Sequence, residues 1–386
     1  MIYLDHNATT PMLPAAIEAM DGVMRDAWGN PSSLHETGRK ARQVVEEARE
    51  KFAALIQAAP HEILFTGGGT EACNFGIFGA ARSAQASPGK GHIVASAIEH
   101  SAVKSALLAL EAEGWGVTWV KPDADGIVDP EAVRAALRPD TTLCAVMAAN
   151  NEVGSVQPYA ELSGLLRTHG VTYFCDMTQA LGKLLLDFSK VPMDLASFAA
   201  HKIGGPKGVG ALYVRKGLKI DSLVRGGGQE RGMRGGTENV PGIAGFGAAA
   251  HWWRVGTGIE ERERTRALRD LLQGALLEAI PEARINGPEA TGKRLPNTLH
   301  ATFPGARSDL MVAALDLRGV AVSAGSACAS GSVRPSEVLL AMGRTEADAV
   351  SSLRLSVGFG NTAREMPVAV KAIAAAYQAA RDSIRG

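Results

Sequence analysis

Between about residue 62 and residue 215, short hydrophobic runs rich in β-forming residues alternate with segments of helical periodicity. Segments such as SAVKSALLALEAEG and PEAVRAALRP separate the runs, which are EILF, HIVAS, VTWV, TLCAVMA, VTYFC, DLASFAA and GALYVR. Strands that alternate with helices are typical of a parallel sheet covered by helices. We therefore predict an α/β fold built on a mostly parallel sheet of seven strands.

The flanking segments extend this prediction to two domains. An amphipathic helix is predicted over residues 37–59, with one apolar face formed by Ala41, Val44, Val45, Ala48, Phe52, Leu55 and Ile56. Residues 223–247 are rich in glycine and arginine, so no regular element is expected there. A helix over about residues 258–280 leads into a second region, which ends in a helix from Pro367 onward. We predict a large domain over residues 13–257 and a smaller α+β domain over residues 1–12 and 258–386.

Charge and cysteine content narrow the classes of function. Lys and Arg together number 40, as do Asp and Glu, and no basic block suggests a nucleic-acid or anionic-membrane surface. The N-terminus lacks a basic stretch before an apolar core, and no segment is long enough to span a bilayer, so a cytoplasmic location is expected. Four cysteines without a CxxC pair indicate neither a disulfide framework nor a metal site.

Glycine and polar residues follow the predicted strands, at the edge where open parallel sheets bind ligands. EILF precedes TGGGTEACN. The three consecutive glycines that end at Gly69 allow a ligand to approach the backbone closely, and Thr70 opens a helix whose amides can face a phosphate. HIVAS precedes IEHSAV, where His100 can stack on an aromatic ring or cap a helix. TLCAVMA precedes NNEVG, so Asn150 or Asn151 can donate to a ligand or simply form a turn.

The next two strand ends carry charged groups. Asp176 ends the strand VTYFC, where it can pair with a cationic pyridine nitrogen or act as a helix N-cap, and Gln179 can reach a phenolic oxygen. DLASFAA is followed by His201 and Lys202, which in isolation would be surface residues. Taken together, the five strand ends supply the groups that pyridoxal 5'-phosphate needs.

These residues carry a resemblance to a known family. The chain resembles, essentially from end to end, the cysteine desulfurases of the class V aminotransferase group, of the nitrogen-fixation and iron–sulfur-assembly type. The resembling stretches are YLDHNATTP, GNPSSLH, ILFTGGGTE, EHSAV, ANNEVG, DMTQALGK, AHKIGGPKGVGALYVR, RGGGQERGMRGGTEN, RLPNT and SAGSACASGS. The resemblance implies a PLP-dependent transferase of fold type I, similar to aspartate aminotransferase.

The resemblance also assigns roles around the cofactor ring. It implies that Lys202 forms the Schiff base, that Asp176 keeps the ring nitrogen protonated by charge pairing, that Gln179 contacts the ring oxygen and that His100 stacks above the ring. Lys202 and His100 are the two candidates for moving protons during the reaction.

The phosphate would be held by two segments of one chain and by a second subunit. The resemblance implies that Gly69 and Thr70, with the adjacent backbone amides, and His201 bind it. A threonine of the neighbouring subunit, corresponding to Thr237, completes the site, so a homodimer is implied.

The substrate residues lie further apart in the sequence. Arg354 matches the arginine that grips the carboxylate of L-cysteine, a task suited to a planar two-pronged donor. Asn7 and Asn151 are expected to assist, and Asn151 also contacts the cofactor. The thiolate of Cys328, in a loop of small residues, is expected to attack the substrate sulfur, leaving alanine and a persulfide. An acceptor protein such as an iron–sulfur scaffold would then take the sulfur.

Two departures and three rival functions accompany this hypothesis. Ala199 stands where the family commonly has serine, so one phosphate donor is missing. The cysteine loop reads SAGSACASGS and is closer to that of the long-loop desulfurases than to that of the short-loop group. This likeness favours cysteine over selenocysteine as the substrate. The segment TEN after RGMRGG favours the nitrogen-fixation type. The rivals are a selenocysteine lyase, a class V aminotransferase, which would not need Cys328, and a catalytically silent sulfur relay.

Overall fold

The computed structural model describes residues 1–84, 91–289, 292–325 and 334–385. Cys328 lies outside the described residues. The strands are β1 Ile2–Tyr3, β2 Ile63–Thr66, β3 His92–Ser96, β4 Gly116–Val120, β5 Thr141–Ala145, β6 Thr172–Asp176, β7 Leu195–Ala199, β8 Gly210–Val214, β9 Arg284–Asn286, β10 Thr298–Thr302, β11 Val320–Ala321, β12 Ser323–Ala324 and β13 Ser352–Ser356. The helices are α1 Pro14–Asp26, α2 Glu36–Ile56, α3 Gly69–Ala84, α4 Ser101–Ala112, α5 Pro130–Ala136, α6 Tyr159–Thr168, α7 Val240–Arg254, α8 Gly256–Ala279, α9 Ser308–Asp316, α10 Glu337–Ala341, α11 Glu346–Val350 and α12 Glu365–Arg385.

The predicted seven-stranded sheet is confirmed. Its strand order is β2-β8-β7-β6-β5-β3-β4, and each of the seven hydrophobic runs supplies one strand. The neighbouring pairs are parallel except those of β8, which runs antiparallel to both β2 and β7. Strands β3 and β7 are buried along their whole length because helices cover both faces of the sheet.

Helices α2 and α7 cover one face of this sheet, and α3 and α4 cover the other. The prediction that residues 223–247 contain no regular element is wrong from Val240 onward, where α7 begins. Its glycines are packing positions: a Cβ on Gly247 would lie 2.6 Å from Cα of Ala48 in α2. The close approach of the two helices therefore depends on glycines that, in the sequence, look like helix breakers.

A second hydrophobic core surrounds an antiparallel sheet of order β12-β13-β10-β9, against which α8, α9 and α12 pack. The N-terminal segment belongs to this region, because β1 pairs with β11 and Asp5 forms a bridge with Ser356. Residues from opposite ends of the chain thereby meet beside the seven-stranded sheet. No helix within the described part of the chain is long and apolar enough to cross a membrane.

Candidate active site

A cavity of about 840 Å³ lies where the carboxyl ends of the parallel strands face the second sheet. Ten of the residues predicted for the site line it, namely Asn7, Gly69, Thr70, His100, Asn151, Asp176, Gln179, His201, Lys202 and Arg354. Thr237 is exposed and is not among the described residues that line this cavity. A single chain therefore brings together the proposed cofactor and substrate groups except for Thr237 and the undescribed Cys328.

Lys202 ends a short 3₁₀ turn directly after β7, so its side chain enters the cavity from the end of a buried strand. Its Nζ donates hydrogen bonds to the backbone oxygens of Asn7 at 2.6 Å and Ala8 at 2.7 Å. Burial lowers the pKa of Lys202 to about 8, and Arg354 lowers it further, while Asp176 opposes the shift. A substantial fraction of this amine is therefore uncharged and nucleophilic near neutral pH.

Asp176 is the last residue of β6 and is 7% exposed. Its Oδ1 accepts hydrogen bonds from the Thr178 amide at 2.9 Å and from Ser197 Oγ at 3.2 Å. The chain continues in turns rather than a helix, so the N-cap interpretation of Asp176 is wrong. The two bonds hold a carboxylate at the inner end of the cavity, as pairing with a cationic ring nitrogen requires.

Both sequence-based interpretations of His100 are compatible with the structure. His100 is the N-cap of α4, where its Nδ1 accepts a hydrogen bond from the Ala102 amide at 3.2 Å, and its ring is accessible from the cavity. The protein atoms around it desolvate the ring and lower its pKa, with Lys202 and Arg354 acting in the same direction. His100 is therefore a neutral imidazole whose orientation is fixed by the start of the helix.

His201 lies on the other side of Lys202. Its Nδ1 is 3.1 Å from Thr9 Oγ1, and its backbone oxygen accepts a hydrogen bond from the Thr10 amide at 3.0 Å. Burial lowers the pKa of His201 to about 4, and nearby lysines, Lys202 first, lower it further. A neutral ring can donate one N–H to an anion from this position.

The glycine-rich turn brings the start of α3 close to β7. Gly68 has φ +151°, and a Cβ on Gly69 would lie 3.1 Å from the Ala199 Cβ and 3.5 Å from Thr178 Oγ1. The corner is thus shaped by small residues and by a hydroxyl that sequence reasoning missed. Its signal was the threonine between Asp176 and Gln179 in DMTQ.

Arg354 faces these groups from β13. It is 6% exposed, and it donates to Asp5 Oδ1 at 2.9 Å and to the Asn151 backbone oxygen at 3.1 Å. Its Nε is buried without a hydrogen-bond partner among the described residues. A buried N–H group without an acceptor destabilises the protein unless a ligand accepts its hydrogen bond. The guanidinium is therefore suited to bind a carboxylate.

The two asparagines of NNEVG have different roles. Asn150 is fully buried, and its side chain accepts hydrogen bonds from the amides of Glu152 and Val153 at 2.9 and 3.0 Å, which shapes the turn. Asn151 lines the cavity. Of the two alternatives, the structure therefore leaves Asn151 as the residue able to meet a ligand.

Asn7 joins the two sides of the cavity. Its Nδ2 donates to the Asn151 backbone oxygen at 3.2 Å and to Thr298 Oγ1 at 2.9 Å, and its own backbone oxygen accepts from Gln179 Nε2 at 3.0 Å. The amide nitrogen of the Asn7 side chain is thus fully used within the protein. Asn7 is placed to organise its neighbours, and direct contact with substrate stays a prediction.

Glu99, next to His100, is a buried acid that sequence reasoning missed. Its Oε1 accepts from Ser96 Oγ at 2.5 Å and from the Met147 amide at 2.8 Å, while Oε2 has no partner in the described part of the chain. Burial raises the pKa of Glu99 to about 8, and Asp176 acts in the same direction. Glu99 is therefore largely protonated at neutral pH.

The three described cysteines are all buried, as expected of structural residues. Burial raises the pKa of Cys73, Cys144 and Cys175, so none of these thiols readily forms a thiolate. The sequence contains one further cysteine, Cys328.

Comparisons with known proteins agree with this site. Residues 2–367 match the family model for aminotransferase class-V. The chain is 44% identical to an IscS-like cysteine desulfurase of Mycobacterium tuberculosis, over 99% of this chain and 97% of the relative. It superposes on a solved NifS-like protein with a TM-score of 0.89 at 36% identity, covering 97% and 98% of the two chains. A structure described as SspA in complex with cysteine gives a TM-score of 0.79 at 33% identity, covering 93% of this chain and 99% of that one.

The chain belongs to the class-V aminotransferase family, and its fold is that of the NifS-like proteins. Within the family its relatives are cysteine desulfurases, and the resemblance recognised in the sequence is confirmed.

Proposed function

We propose that the protein uses pyridoxal 5'-phosphate to remove sulfur from L-cysteine, releasing L-alanine and leaving a persulfide on Cys328. The observation that carries the proposal is one cavity in which Lys202, with a pKa lowered to about 8, lies with Asp176 on one side and Arg354 on the other. The family relationship and the cysteine desulfurase names of the relatives support the same reaction.

The residues of the cavity fit the cofactor. Lys202 would hold its aldehyde carbon, Asp176 its ring nitrogen and Gln179 its ring oxygen, with His100 against the ring. The turn at Gly69, where an added Cβ would crowd Ala199, leaves room for a phosphate beside the α3 amides. When bound, the cofactor withdraws electrons from the substrate α-carbon.

Arg354 would hold the substrate carboxylate, since its Nε has no partner among the residues that the structure describes and two of its other donors are fixed by Asp5 and Asn151. Lys202 is the proposed acid and base at the α-carbon, because a group with a pKa near the working pH can both accept and return a proton. His100 is kept neutral by its surroundings, and its Nδ1 already accepts from the Ala102 amide, so it is available as a proton donor through Nε2–H.

The sulfur step balances without an external oxidant. The bond between the substrate Cβ and sulfur breaks, a bond between that sulfur and Cys328 Sγ forms, and the proton of the Cys328 thiol ends on the alanine product. The transferred sulfur is oxidised and the carbon reduced. The raised pKa values of the other three cysteines support Cys328 as the nucleophile, because each of them is buried.

The assembly and biological setting are also part of the proposal. A homodimer would add Thr237 of the second subunit to the phosphate site, consistent with its exposure in one chain. The acceptor would be a protein such as an iron–sulfur scaffold, as the sequence resemblance implies, and the reaction would take place in the cytoplasm. The nitrogen-fixation subtype stays a prediction from the segment TEN. The proposed domain boundary at residues 257 and 258 lies in the first turn of α8.

The test measures alanine and sulfide formed from L-cysteine with a thiol reductant, together with the visible cofactor spectrum. Wild type is expected to form both products. Lys202→Ala should lose the cofactor band, and Cys328→Ala should keep the band while losing sulfide formation. Lys207→Ala, an exposed lysine, and Cys144→Ala, a buried cysteine of β5, serve as matched controls that should retain activity.

Each alternative enzymatic activity has its own outcome. Normal sulfide formation by Cys328→Ala would exclude the persulfide step and favour a direct lyase. Amino-group transfer to a keto acid without sulfide would favour an aminotransferase, and preferential turnover of selenocysteine would favour a selenocysteine lyase.

A further inference from the structure

A lysine more deeply buried than Lys202 lies behind the cavity and has no role in the reaction proposed above. Lys183 ends the stretch DMTQALGK and is 8% exposed. Its Nζ donates to Gln179 Oε1 at 2.5 Å and to Asn7 Oδ1 at 3.1 Å. Both partners line the active-site cavity, whereas Lys183 lines a small cavity behind it that Lys202 shares.

The bond to Gln179 fixes which edge of this amide donates. Because Oε1 accepts from Lys183, Nε2 is left as the donor, and it points to the Asn7 backbone oxygen at 3.0 Å. A flipped amide would set Oε1 against the Asn7 backbone oxygen, which can only accept, so the two contacts together fix the orientation of the amide. Gln179 is therefore presented to the cavity with its N–H side, which is the side that contact with a ring oxygen requires.

The bond to Asn7 has a second consequence. Asn7 Oδ1 accepts from Lys183 and also from Asn297 Nδ2 at 2.8 Å, so it links the seven-stranded sheet region to the segment before β10. The backbone oxygen of Asn7 accepts from Lys202 at 2.6 Å. Lys183 thus holds in place, by a hydrogen bond, the residue whose backbone oxygen accepts from the Lys202 amine.

The surroundings indicate that Lys183 is uncharged. Its two partners are neutral amide oxygens, and no ion pair joins it to a carboxylate within the described ranges. Burial lowers its pKa well below the ordinary 10.5, and the nearby cations Lys202 and Arg354 lower it further. His6 and Arg262, which line the same small cavity, add no negative charge.

We propose that Lys183 is a positioning residue, an uncharged hydrogen-bond donor that orients Gln179 and Asn7 for cofactor binding at Lys202. The inference rests on the proposed function, because it assigns Gln179 and Lys202 to the cofactor.

The test compares Lys183→Met, which removes the donor at similar length, with Lys183→Arg, which keeps donors but adds a permanent charge. Lys190→Met is the matched control, since Lys190 is an exposed lysine of the same connection that pairs with Asp187. For each holoenzyme, the dissociation constant of pyridoxal phosphate and the pH midpoint of its visible band are measured. Gln179→Ala and the Gln179→Ala/Lys183→Met double variant complete a double-mutant cycle.

Lys183→Met should weaken cofactor binding about tenfold, the loss of roughly 1.4 kcal/mol, with little change in the pH midpoint. The loss should be much smaller on the Gln179→Ala background, because Lys183 acts through that amide. Lys183→Arg should lower the midpoint, since a fixed cation then faces Lys202. Lys190→Met should match wild type in both measurements.

Unchanged affinity in Lys183→Met, or fully additive losses in the cycle, would overturn the positioning role. If Lys183→Met does not fold, Lys183→Arg decides the question, because an unchanged midpoint would mean that wild-type Lys183 already carries a charge. A wild-type protein without any cofactor band would instead refute the proposed function itself.

Discussion

The two sides of the cavity are built in different ways. On the side of the seven-stranded sheet, Asp176 and Lys202 each lie at or within three residues of the end of a parallel strand. On the opposite side, Arg354 is held by Asp5, which is 349 residues away in the sequence, and Thr298 contacts Asn7 across 291 residues. The first side is formed by residues at the ends of neighbouring strands. The second side forms only when segments from the two ends of the chain are in contact.

This difference suggests that the two sides of the cavity have different functions. The strand ends carry the groups assigned to the cofactor, whereas the side formed by β13 carries the group assigned to the substrate carboxylate. Changes on the first side should therefore alter the chemical step and the cofactor spectrum. Changes on the second should alter mainly the use of cysteine, and the following predictions test that separation.

The largest effect is expected for Asp176→Asn. An amide of the same shape can still accept from Thr178 but cannot hold a proton on the ring nitrogen by charge. We expect kcat to fall on the order of 10²–10³-fold, as for the loss of one electrostatic group in other active sites, while KM for cysteine changes little. Steady-state kinetics and the visible spectrum check this. A large rise in KM with unchanged kcat would show that the two sides are not separate.

Arg354→Lys tests the opposite side and should have the next largest effect. Lysine keeps the charge but loses the planar fork, so KM for cysteine should rise by roughly 10–100-fold, which corresponds to about 1.4–2.7 kcal/mol. The cofactor band should be retained because Arg354 is not assigned to the ring. Loss of the band would indicate that the Asp5 ion pair stabilises the whole cavity rather than the substrate alone.

The same difference explains how much could be predicted from sequence. The seven strands and the residues at their ends follow from local hydrophobic runs and from the rule that ligands bind at carboxyl ends. Arg354 and Asn7 entered only through resemblance to a family, because no local pattern shows that β13 faces Lys202. The contacts among Asn7, Asn297 and Thr298 depend on long-range pairing and could not be read from the sequence.

Two further features were not predicted from the sequence, and each has a physical reason. Helix α7 contains Gly242, Gly245 and Gly247, which lower helix propensity. Gly245 allows close contact with α1 and Gly247 with α2, so packing overrides propensity. Glu99 looked like an ordinary charged residue before His100. Its burial, and hence its protonation, is set by the fold around it.

Glu99 gives a prediction for pH-dependent stability. Its folded pKa of about 8 is raised above the ordinary 4.5, so the folded state binds the extra proton between these values. Stability from this group is therefore present below about pH 4.5 and is lost as pH rises toward 8, by up to about 1.4 kcal/mol per pH unit. Glu99→Gln is neutral at every pH. Its free energy of unfolding should therefore increase relative to that of wild type, by up to this amount per pH unit, as the pH rises. A pH-independent difference would contradict the protonated state.

His300, on the opposite side, should show the reverse sign. Burial lowers its pKa to about 3 from 6.5, so stability from His300 is present above pH 6.5 and is lost as pH falls toward 3. The contrast sharpens the comparison, because acid should weaken the region around β10 while alkali weakens the strand-end side. Hydrogen exchange of the two regions at pH 5 and pH 8 would distinguish them.

The smallest effect concerns the proposed phosphate corner, where the sequence resemblance leads us to expect a serine and this chain has Ala199. Thr178 Oγ1 lies close to Gly69 and lines the cavity, so it is placed to supply the missing hydroxyl. Thr178→Val, which keeps the shape, should weaken cofactor binding by about 1 kcal/mol, the net value of one hydrogen bond. Ala199→Ser should strengthen binding by a similar amount in wild type and restore it in Thr178→Val. If Thr178→Val binds the cofactor as tightly as wild type, Thr178 does not supply a hydroxyl to the phosphate and does not compensate for Ala199.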